Sequence, residues 1–148
     1  ELESLKEELQ KSGLENNFQG KKKTRKKEFS LPLFPVVIDG FNVFVGKNNM
    51  QNDFLTLHKA KKSDLWFHAK NLPGSHIILE TEGKIIPEET IAKVASLAAF
   101  HSKGRSSGKV DVDYTHVKYI RKIPNGPPGL VNYTHQRTIT VFPKETQN

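Results

Sequence analysis

The sequence predicts an α+β domain with a mostly antiparallel sheet and two to three helices, preceded by a helical segment. Short apolar runs separated by Gly, Pro and Asn turns recur along the chain, as they do in antiparallel sheets. One strong helical pattern interrupts these runs at residues 87–104. With 148 residues and 35% hydrophobic content, the chain is long enough to form one compact core.

The first thirty residues differ in composition from the rest of the chain. Residues 1–13 place three leucines at helical spacing before a glycine, which predicts the end of a coiled-coil helix, although a solvated amphipathic helix fits equally well. The stretch KKKTRKK at 21–27 has six basic residues in seven. Such runs repel themselves, so we interpret residues 14–30 as a basic linker and residues 31–148 as the domain.

A hairpin and a short helix are predicted at the start of this domain. The sequence VVIDGFNVFV at 36–45 places two apolar runs around Asp39-Gly40, a dipeptide that supplies the positive φ angles of a type I′ turn. In GKNNMQND, which follows, Asn48 or Asn49 can cap the helix. The predicted order is therefore strand, turn, strand and helix.

The stretch DLWFHAKNLPGSHIIL at 64–79 predicts a second hairpin, with NLPGS as its turn. In this register Trp66 lies opposite Ile78 and His68 lies opposite His76, so the two histidines become neighbours. Alternate residues of the first strand point to opposite faces. One face is therefore predicted to be core, and the other to be mixed aromatic and charged.

The second half of the domain contains the clearest helix and several strands. Pro87 at the helix start, two glutamates in the first turn and Gly104 just past the end are typical helix signals. After it, VDVDYTHVKYI, LVNY and RTITVF are strand-like, with PNGPPG as a turn. The apolar parity slips within 110–120, which predicts a bulge or a break near Thr115.

The two histidines raise the question of a metal site or a catalytic site. Asp64, the nearest carboxylate along the strand, is four residues from His68, which is about 13 Å, and the chain has no cysteine. No Ser or Cys nucleophile with a recognisable elbow or oxyanion turn accompanies the histidines. We therefore expect no metal, no cofactor and no catalytic residues, so the protein is not predicted to be an enzyme.

Charge favours a polyanionic partner. Lys and Arg number 23 against 16 Asp and Glu, a net charge of +7, which suits nucleic acid, acidic lipid or acidic protein surfaces. Residues 101–137 hold seven Lys/Arg and two Asp, whereas residues 80–93 hold four Glu and two Lys. Positive and negative charge are therefore segregated along the chain, as a docking surface would require. Within the first region, SKGRSSGK at 102–109 has the composition of a phosphate-contacting loop or of an ordinary mobile loop.

A face for RNA is one interpretation of the second hairpin. Trp66, His68 and Lys70 project from one side of the strand beside the basic stretch HKAKK at 58–62. Unpaired bases stack on aromatic rings and phosphates pair with cations, which suits this combination. The alternative is that Trp66 packs beneath a helix while the histidines bond backbone carbonyls.

Three stretches resemble the NFACT-R domain, the carboxy-terminal RNA-binding module of the ribosome-associated quality control family. They are VGKNNMQNDFLTL at 45–57, DLWFHAKNLPGSHIIL at 64–79 and DYTHVKYIRKIPNGPPGLVNY at 113–133. Bacterial members are also called fibronectin-binding proteins of the A type. The resemblance spans about residues 34–142, and a coiled coil that leads through a basic linker into this domain matches the family's layout.

The resemblance implies that the full-length protein binds the large ribosomal subunit carrying a stalled nascent chain, recruits tRNA and supports template-free tailing. Its signature positions include the Asn-rich block, whose amides suit base edges or ribose hydroxyls, and Gly74, which permits close backbone approach. A structural cap is the alternative role for the Asn block. Together with nearby cations, the candidate RNA-binding residues are Asn48, Asn49, Asn52, Asp53, Lys61, Lys62, Asp64, Trp66, His68, Lys70, Gly74, Ser75, His76, Lys103, Arg105 and Lys118.

The family's older name leaves a second function open, a surface adhesin domain that binds host fibronectin. No apolar run is long enough to span a membrane and no signal peptide is visible, while a start at Glu1 instead of Met predicts a fragment of a longer protein. We therefore expect a cytoplasmic protein with tRNA and the large ribosomal subunit as partners. Location at the cell surface without a signal peptide is the alternative that accompanies fibronectin binding.

Overall fold

The computed structural model describes residues 33–145, which form an α+β unit around a six-stranded sheet, and the predicted fold class is confirmed. The predicted helix at 1–13 and linker at 14–30 lie outside the described residues. The strands are β1 (Val36–Ile38), β2 (Phe41–Val45), β3 (Leu65–Ala69), β4 (Ile77–Leu79), β5 (Val110–His116), β6 (Ile120–Lys122), β7 (Val131–Tyr133) and β8 (Arg137–Val141). The helices are α1 (Asn49–Phe54), which continues as a π-helical turn (Leu55–Lys59), and α2 (Glu88–Phe100).

The sheet has the strand order β1-β2-β4-β3-β5-β8, and every neighbouring pair is antiparallel. Strands β6 and β7 pair with each other in a separate two-stranded sheet. Strands β4 and β3 are therefore central, while β1 and β8 form the two edges of the larger sheet. Neither described helix has the length and apolar character that crossing a membrane requires.

Both predicted hairpins form. Asp39 and Gly40 have φ angles of 52° and 87°, and this pair of positive values is what a type I′ turn between β1 and β2 needs. In the second hairpin Trp66 pairs with Ile78, which confirms the predicted register. The turn of this hairpin makes an isolated bridge between Gly74 and Ser102 and so reaches the segment after α2.

Helix α2 covers one face of the sheet and forms the main core. It begins after Pro87, carries two glutamates in its first turn and buries Val94 and Leu97 against Phe67 and Val112. These glutamates lie where the positive end of the helix dipole favours negative charge. The clearest helical pattern of the sequence is thus confirmed, because its apolar face has a sheet to cover.

The other face of the sheet carries a second, smaller core, and here the structure differs from the sequence prediction. Trp66 is 1% exposed and packs with Phe44, Leu55 and Ile78 from the sheet and the π-helical turn, and with Ile120 from β6. The face that alternation predicted to be mixed aromatic and charged is therefore partly covered. Strand periodicity shows which residues share a face, but it does not show which element packs over that face.

The slip of apolar parity marks the passage of the chain from one core to the other. Strand β5 pairs with β8 from Val110 to Tyr114 and with β3 from Val112 to its end at His116. A 3-10 turn (Val117–Tyr119) follows, and it is the break that was predicted near Thr115. Val112 belongs to the main core and Val117 to the second core, so the apolar residues before and after the break face opposite sides of the sheet.

Candidate nucleic-acid interface

The Asn-rich block caps the start of helix α1. Asn48 has extended backbone angles, and its side-chain oxygen accepts a hydrogen bond from the Gln51 amide at 2.9 Å. The Gln51 side chain accepts from the amide of Lys47, the residue before the cap, at 2.9 Å. The predicted role of Asn48 as a helix cap is therefore confirmed.

Asn52 joins the Asn-rich block to the second hairpin. Its buried side-chain oxygen accepts from the His76 backbone amide at 3.0 Å, and the Gly46 amide donates to the His76 carbonyl at 2.9 Å. A Cβ atom at Gly46 would collide with the Asn52 side-chain oxygen, so this close approach requires glycine. The two blocks that resemble the family signature are therefore in direct contact.

Four rings, those of Trp66, His68, His76 and Tyr133, pack together next to the contact between Asn52 and the second hairpin. His68 lies parallel to Trp66 with ring centroids 5.7 Å apart, while His76 meets Trp66 edge-on at 5.4 Å and His68 at 5.5 Å. Tyr133 packs against Trp66 from the other sheet at 4.6 Å. The predicted neighbourhood of the two histidines is confirmed.

Burial keeps both histidines uncharged. Desolvation, with a smaller contribution from the neighbouring His68, lowers the pKa of His76 to about 3, and its Nδ1 lies 2.8 Å from the Thr56 hydroxyl. Desolvation also lowers the pKa of His68, which is only partly exposed. At neutral pH these rings therefore contribute hydrogen-bonding edges and apolar faces without positive charge.

Two of the candidate carboxylates serve as internal anchors. The Asp64 carboxylate is buried and accepts from the amides of Lys61 at 3.0 Å and Thr81 at 3.2 Å. The Asp53 carboxylate accepts from the Lys122 ammonium at 3.0 Å and the Gly129 amide at 3.1 Å. Both acceptors are thus engaged within the protein, and within residues 33–145 no three His, Asp or Glu side chains group as metal ligands would.

A third carboxylate, which sequence reasoning missed, holds Tyr133 in place. Asp113 is buried on β5 and accepts from the Tyr133 hydroxyl at 2.8 Å and the Thr138 hydroxyl at 2.6 Å. Desolvation and this hydrogen bond raise the pKa of Tyr133 to about 12. The alternation of Asp111 and Asp113 along β5 was visible in the sequence, but it does not show that one of the two carboxylates is buried.

A cationic cleft of about 480 Å³ opens between residues 46–49, 73–75 and 100–105, with Asn52 in its wall. Its cations are Lys47, Lys103 and Arg105, and the described residues that line it include no Asp or Glu. The backbone at Pro73 and Ser75 hydrogen-bonds to residues 101 and 103, so the start of the Gly/Ser loop is attached to the hairpin turn. The loop that the sequence predicted as a phosphate-contacting or mobile segment thus forms a wall of this cleft.

Gly74 permits a close backbone approach, as the sequence predicted. A Cβ atom at this position would lie 2.9 Å from the Ser102 Cβ and 3.1 Å from the His101 carbonyl oxygen. The close approach is therefore to the segment after α2. Gly74 also lines both clefts, and its contact with RNA stays a prediction.

An aromatic cleft of about 410 Å³ adjoins the cationic cleft. It is lined by the four rings already described, by Asn71 and Leu72, and by residues 129–131, and it contains no Lys, Arg, Asp or Glu. Asn49, Asn52, Pro73 and Gly74 line both clefts. A polar and charged cavity and an uncharged ring-lined cavity therefore share one wall.

A lysine patch lies at the other end of β3. Lys61 and Lys62 precede the strand, and the Lys118 amide donates to the Lys62 carbonyl at 3.2 Å. The Lys118 ammonium is 5.2 Å from the ring centre of Tyr119, which stacks on His135 at 4.0 Å. We use the term lysine patch for Lys61, Lys62 and Lys118.

The predicted single face is therefore divided. The turn residues that line the cationic cleft follow the end of β3 and Lys61 and Lys62 precede its start, so the length of the strand, about 13 Å, lies between them. The aromatic cleft extends along β3 as far as Trp66 but includes none of the three lysines of the patch. Trp66 does not offer a free ring face for base stacking because His68 and Tyr133 pack on it. Lys70 is exposed one residue beyond β3 and lines neither cleft.

The structure gathers most of the candidate residues around the shared wall. The same surface includes residues that sequence reasoning missed, namely Lys47, Asn71, residues 129–131 and Tyr133. Lys47 adjoins the Asn-rich block, and that adjacency was the signal that could have identified it. The candidates lining at least one cleft are Asn48, Asn49, Asn52, Trp66, His68, Gly74, Ser75, His76, Lys103 and Arg105.

A cationic cleft beside a cleft of amides and rings, with a separate lysine patch, defines this α+β unit as a nucleic-acid-binding module. The sequence profile of the NFACT protein RNA binding domain matches residues 33–134. The chain therefore belongs to the NFACT RNA-binding domain family, and the predicted resemblance is confirmed.

The most similar curated relatives include the Rqc2 homologs RqcH of two bacteria and one archaeon. The RqcH of Streptococcus pneumoniae strain D39 is 39% identical over 145 residues, covering 97% of this chain and 25% of that protein. The RqcH of Bacillus subtilis is 36% identical over 149 residues with the same two coverages. The archaeal homolog aRqcH of Methanocaldococcus jannaschii is 34% identical over 103 residues, covering 69% and 15%. The chain thus spans about a quarter of the length of its bacterial relatives.

A solved structure shares this fold. The C-terminal part of the fibronectin/fibrinogen-binding protein from Streptococcus suis aligns with a TM-score of 0.71 and 44% identity. The alignment covers 77% of this chain and 46% of that chain. The fold is therefore shared with a protein named for binding to fibronectin and fibrinogen.

Proposed function

We propose that this domain contacts tRNA on a stalled large ribosomal subunit, as the RNA-binding part of a cytoplasmic quality control protein that supports template-free tailing of nascent chains. The observation that carries the proposal is the cationic cleft, in which Lys47, Lys103 and Arg105 line one cavity. The names of the RqcH relatives support the assignment to ribosome quality control. In this proposal the domain binds RNA and has no catalytic step of its own.

The cations of the domain would divide the contacts between two regions. Lysine and arginine side chains pair with phosphates wherever the strand passes, which gives affinity without sequence preference. The lysine patch and the cationic cleft lie at opposite ends of β3, so one RNA can contact both when its backbone follows the strand. Asn48 and Asn49 on the rim of the cleft add donors and acceptors for ribose or base edges.

A filter-binding titration with tRNA over a salt series tests this proposal. Replacing Lys103, Arg105 or Lys118 with Ala removes one phosphate contact each, so the slope of log K against log salt should become shallower by about 0.7 to 0.9 per variant. Lys84→Ala is the matched control, because Lys84 lies in the acidic segment and pairs with Glu82 at 3.6 Å. If the three variants and the control bind tRNA equally at every salt concentration, the proposed interface is wrong.

The same titration addresses the alternative function. Fibronectin binding rests on the name of the Streptococcus suis relative. Immobilised fibronectin is therefore included as a second ligand for the same variants. Saturable binding to fibronectin at concentrations where tRNA does not bind would favour the adhesin function over the RNA-binding proposal.

A further inference from the structure

The two clefts offer different chemistry to a ligand that lies across their shared wall. The cationic cleft holds Lys47, Lys103 and Arg105, whereas the side chains of the aromatic cleft are rings, amides and aliphatic groups. Asn49 and Asn52 stand in the wall between them. A ligand long enough to reach both clefts therefore meets positive charge at one end and an uncharged surface at the other.

Contacts within the protein hold the cationic end of the site in place. The Arg105 guanidinium lies 4.2 Å from the ring centre of Phe100, a distance at which a cation is attracted to an aromatic face. The Ser75 amide donates to the His101 carbonyl at 3.0 Å, and the Lys103 amide donates to the Pro73 carbonyl at 2.9 Å. The segment that carries Lys103 and Arg105 is therefore hydrogen-bonded to the turn of the second hairpin. This attachment holds the two cations in position for a phosphate group.

The aromatic end suits a planar, uncharged group. Its volume of about 410 Å³ is within the usual range for small-ligand pockets, and burial keeps His68 and His76 neutral. Trp66, His76 and Tyr133 line this cleft together with the amides of Asn49 and Asn71. An uncharged ring with polar atoms on its edge matches this lining, whereas a phosphate would meet no Lys or Arg among the described residues that line it.

We infer that the two clefts together bind one unpaired nucleotide of an RNA strand, with its base in the aromatic cleft and its phosphate in the cationic cleft. This inference rests on the proposed function, that the domain binds RNA. A base within a duplex is stacked and paired, so only an unpaired base can enter such a pocket. Because His68 and Tyr133 cover Trp66, the base is recognised mainly by its edge, through the exposed amides of Asn49 and Asn71.

Three hairpin RNAs test the inference. One has a blunt end, one carries a short single-stranded 3′ overhang, and the third carries the same overhang without bases. Trp66 is the only tryptophan of the chain, so intrinsic fluorescence reports on the aromatic cleft alone. We expect the overhang to bind at least about fivefold tighter than the blunt hairpin and to change Trp66 emission, whereas the abasic overhang leaves the emission unchanged.

Two variants separate the two ends of the site. Arg105→Ala should weaken binding of both overhang RNAs by a larger factor than binding of the blunt hairpin. Leu130→Ser, on the exposed rim of the aromatic cleft, should weaken only the overhang that has bases. Lys84→Ala is again the matched control and should bind all three RNAs like the unchanged protein.

The outcomes distinguish this inference from the proposed function. If the blunt hairpin binds and the overhang adds neither affinity nor a change in Trp66 emission, the nucleotide site is wrong and RNA binding stands. The inference is also overturned if Arg105→Ala weakens the blunt hairpin as much as the overhang. If none of the RNAs binds, both proposals are wrong.

Discussion

At the scale of single residues, the second core depends on polar groups that are buried in their uncharged state. His76 is 3% exposed, and its ring is enclosed by Trp66 and His68 and bonded to Thr56. An uncharged imidazole can pack among rings in this way, whereas an imidazolium would lose most of its hydration. The histidines that a sequence would offer as metal ligands or acid-base groups are therefore part of the packing.

The stability of the domain should fall in mild acid because of His76. Its folded-state pKa of about 3 lies below the ordinary value of 6.5, so below pH 6.5 the unfolded chain takes up a proton that the folded chain does not. The contribution of uncharged His76 to the free energy of unfolding is therefore fully present above pH 6.5 and is lost as the pH falls towards 3. Between pH 6 and pH 4 this loss should be about 2 to 3 kcal/mol.

Urea denaturation at several pH values measures this dependence. The His76→Gln variant cannot take up the proton, and an amide can still bond the Thr56 hydroxyl, so the free energy of unfolding should change less with pH than in the unchanged protein. Equal pH dependence in the two proteins would show that His76 is not the group responsible.

At the scale of secondary structure elements, helix α1 connects folding to the proposed interface. Its cap, Asn48, lies in the wall of the cationic cleft, and its buried residue Asn52 is bonded to the second hairpin. The helix is short, and it continues into a π-helical turn that buries Leu55 in the second core. Both the capping of this helix and its contact with the hairpin therefore determine the shape of the cleft.

Substitutions at Asn48 should separate the cap from the interface. Asn48→Ala removes the oxygen that accepts from Gln51 and should lower the free energy of unfolding by about 1 kcal/mol. Asn48→Asp keeps that oxygen, so stability should be preserved, but it places a negative charge beside Lys47. We expect Asn48→Asp to weaken tRNA binding roughly fivefold at low salt because of repulsion from phosphate.

Thermal denaturation and tRNA titration of the two variants provide the comparison. The expected pattern is a less stable Asn48→Ala protein and an Asn48→Asp protein of ordinary stability with reduced affinity. Unreduced tRNA binding by Asn48→Asp would place this side chain outside the RNA interface.

At the scale of the whole molecule, both cores are made from residues of the described unit. The main core joins α2 to the large sheet, and the second core joins the same sheet to α1, the π-helical turn and β6. Asp53 and Asp113 attach the segments that carry β6, β7 and β8 to this frame through hydrogen bonds. The clefts lie where these parts meet, so they require the complete unit from residue 33 onward.

Deleting residues 1–28 should therefore preserve the fold and weaken polyanion binding. Because residues 33–145 supply two apolar cores of their own, we expect the free energy of unfolding to change by less than about 0.5 kcal/mol. The deleted segment carries eight Lys/Arg and six Asp/Glu, with six of the basic residues at 21–27. Its loss should lower tRNA affinity and make the salt slope shallower.

Circular dichroism and filter binding of the truncated protein measure the two effects. Retained folding with reduced affinity would support a separate basic segment that contributes to RNA binding. An unfolded truncated protein would show that the predicted boundary of the domain is misplaced.

The sequence by itself determined the elements whose signals are local. Asp39-Gly40 required positive φ angles and therefore a tight hairpin, and Pro87 with two glutamates specified the start of α2. The alternation around Trp66 specified the register of the second hairpin, in which His68 and His76 are neighbours. Each of these features depends on residues that are close together in the sequence. The residue pattern and its spacing were therefore sufficient to predict them.

Tertiary structure alone decided the burial of Trp66 and the composition of the clefts. Alternation places Trp66 on one face of β3, but the burial of that face depends on α1 and β6, which lie in other parts of the sequence. Lys47 and Lys103 share a cleft because the second hairpin turn bonds to the segment after α2, a contact between residues far apart in the chain. Local patterns report the conformation of a segment, whereas long-range packing decides which segments meet and which side chains remain accessible to RNA.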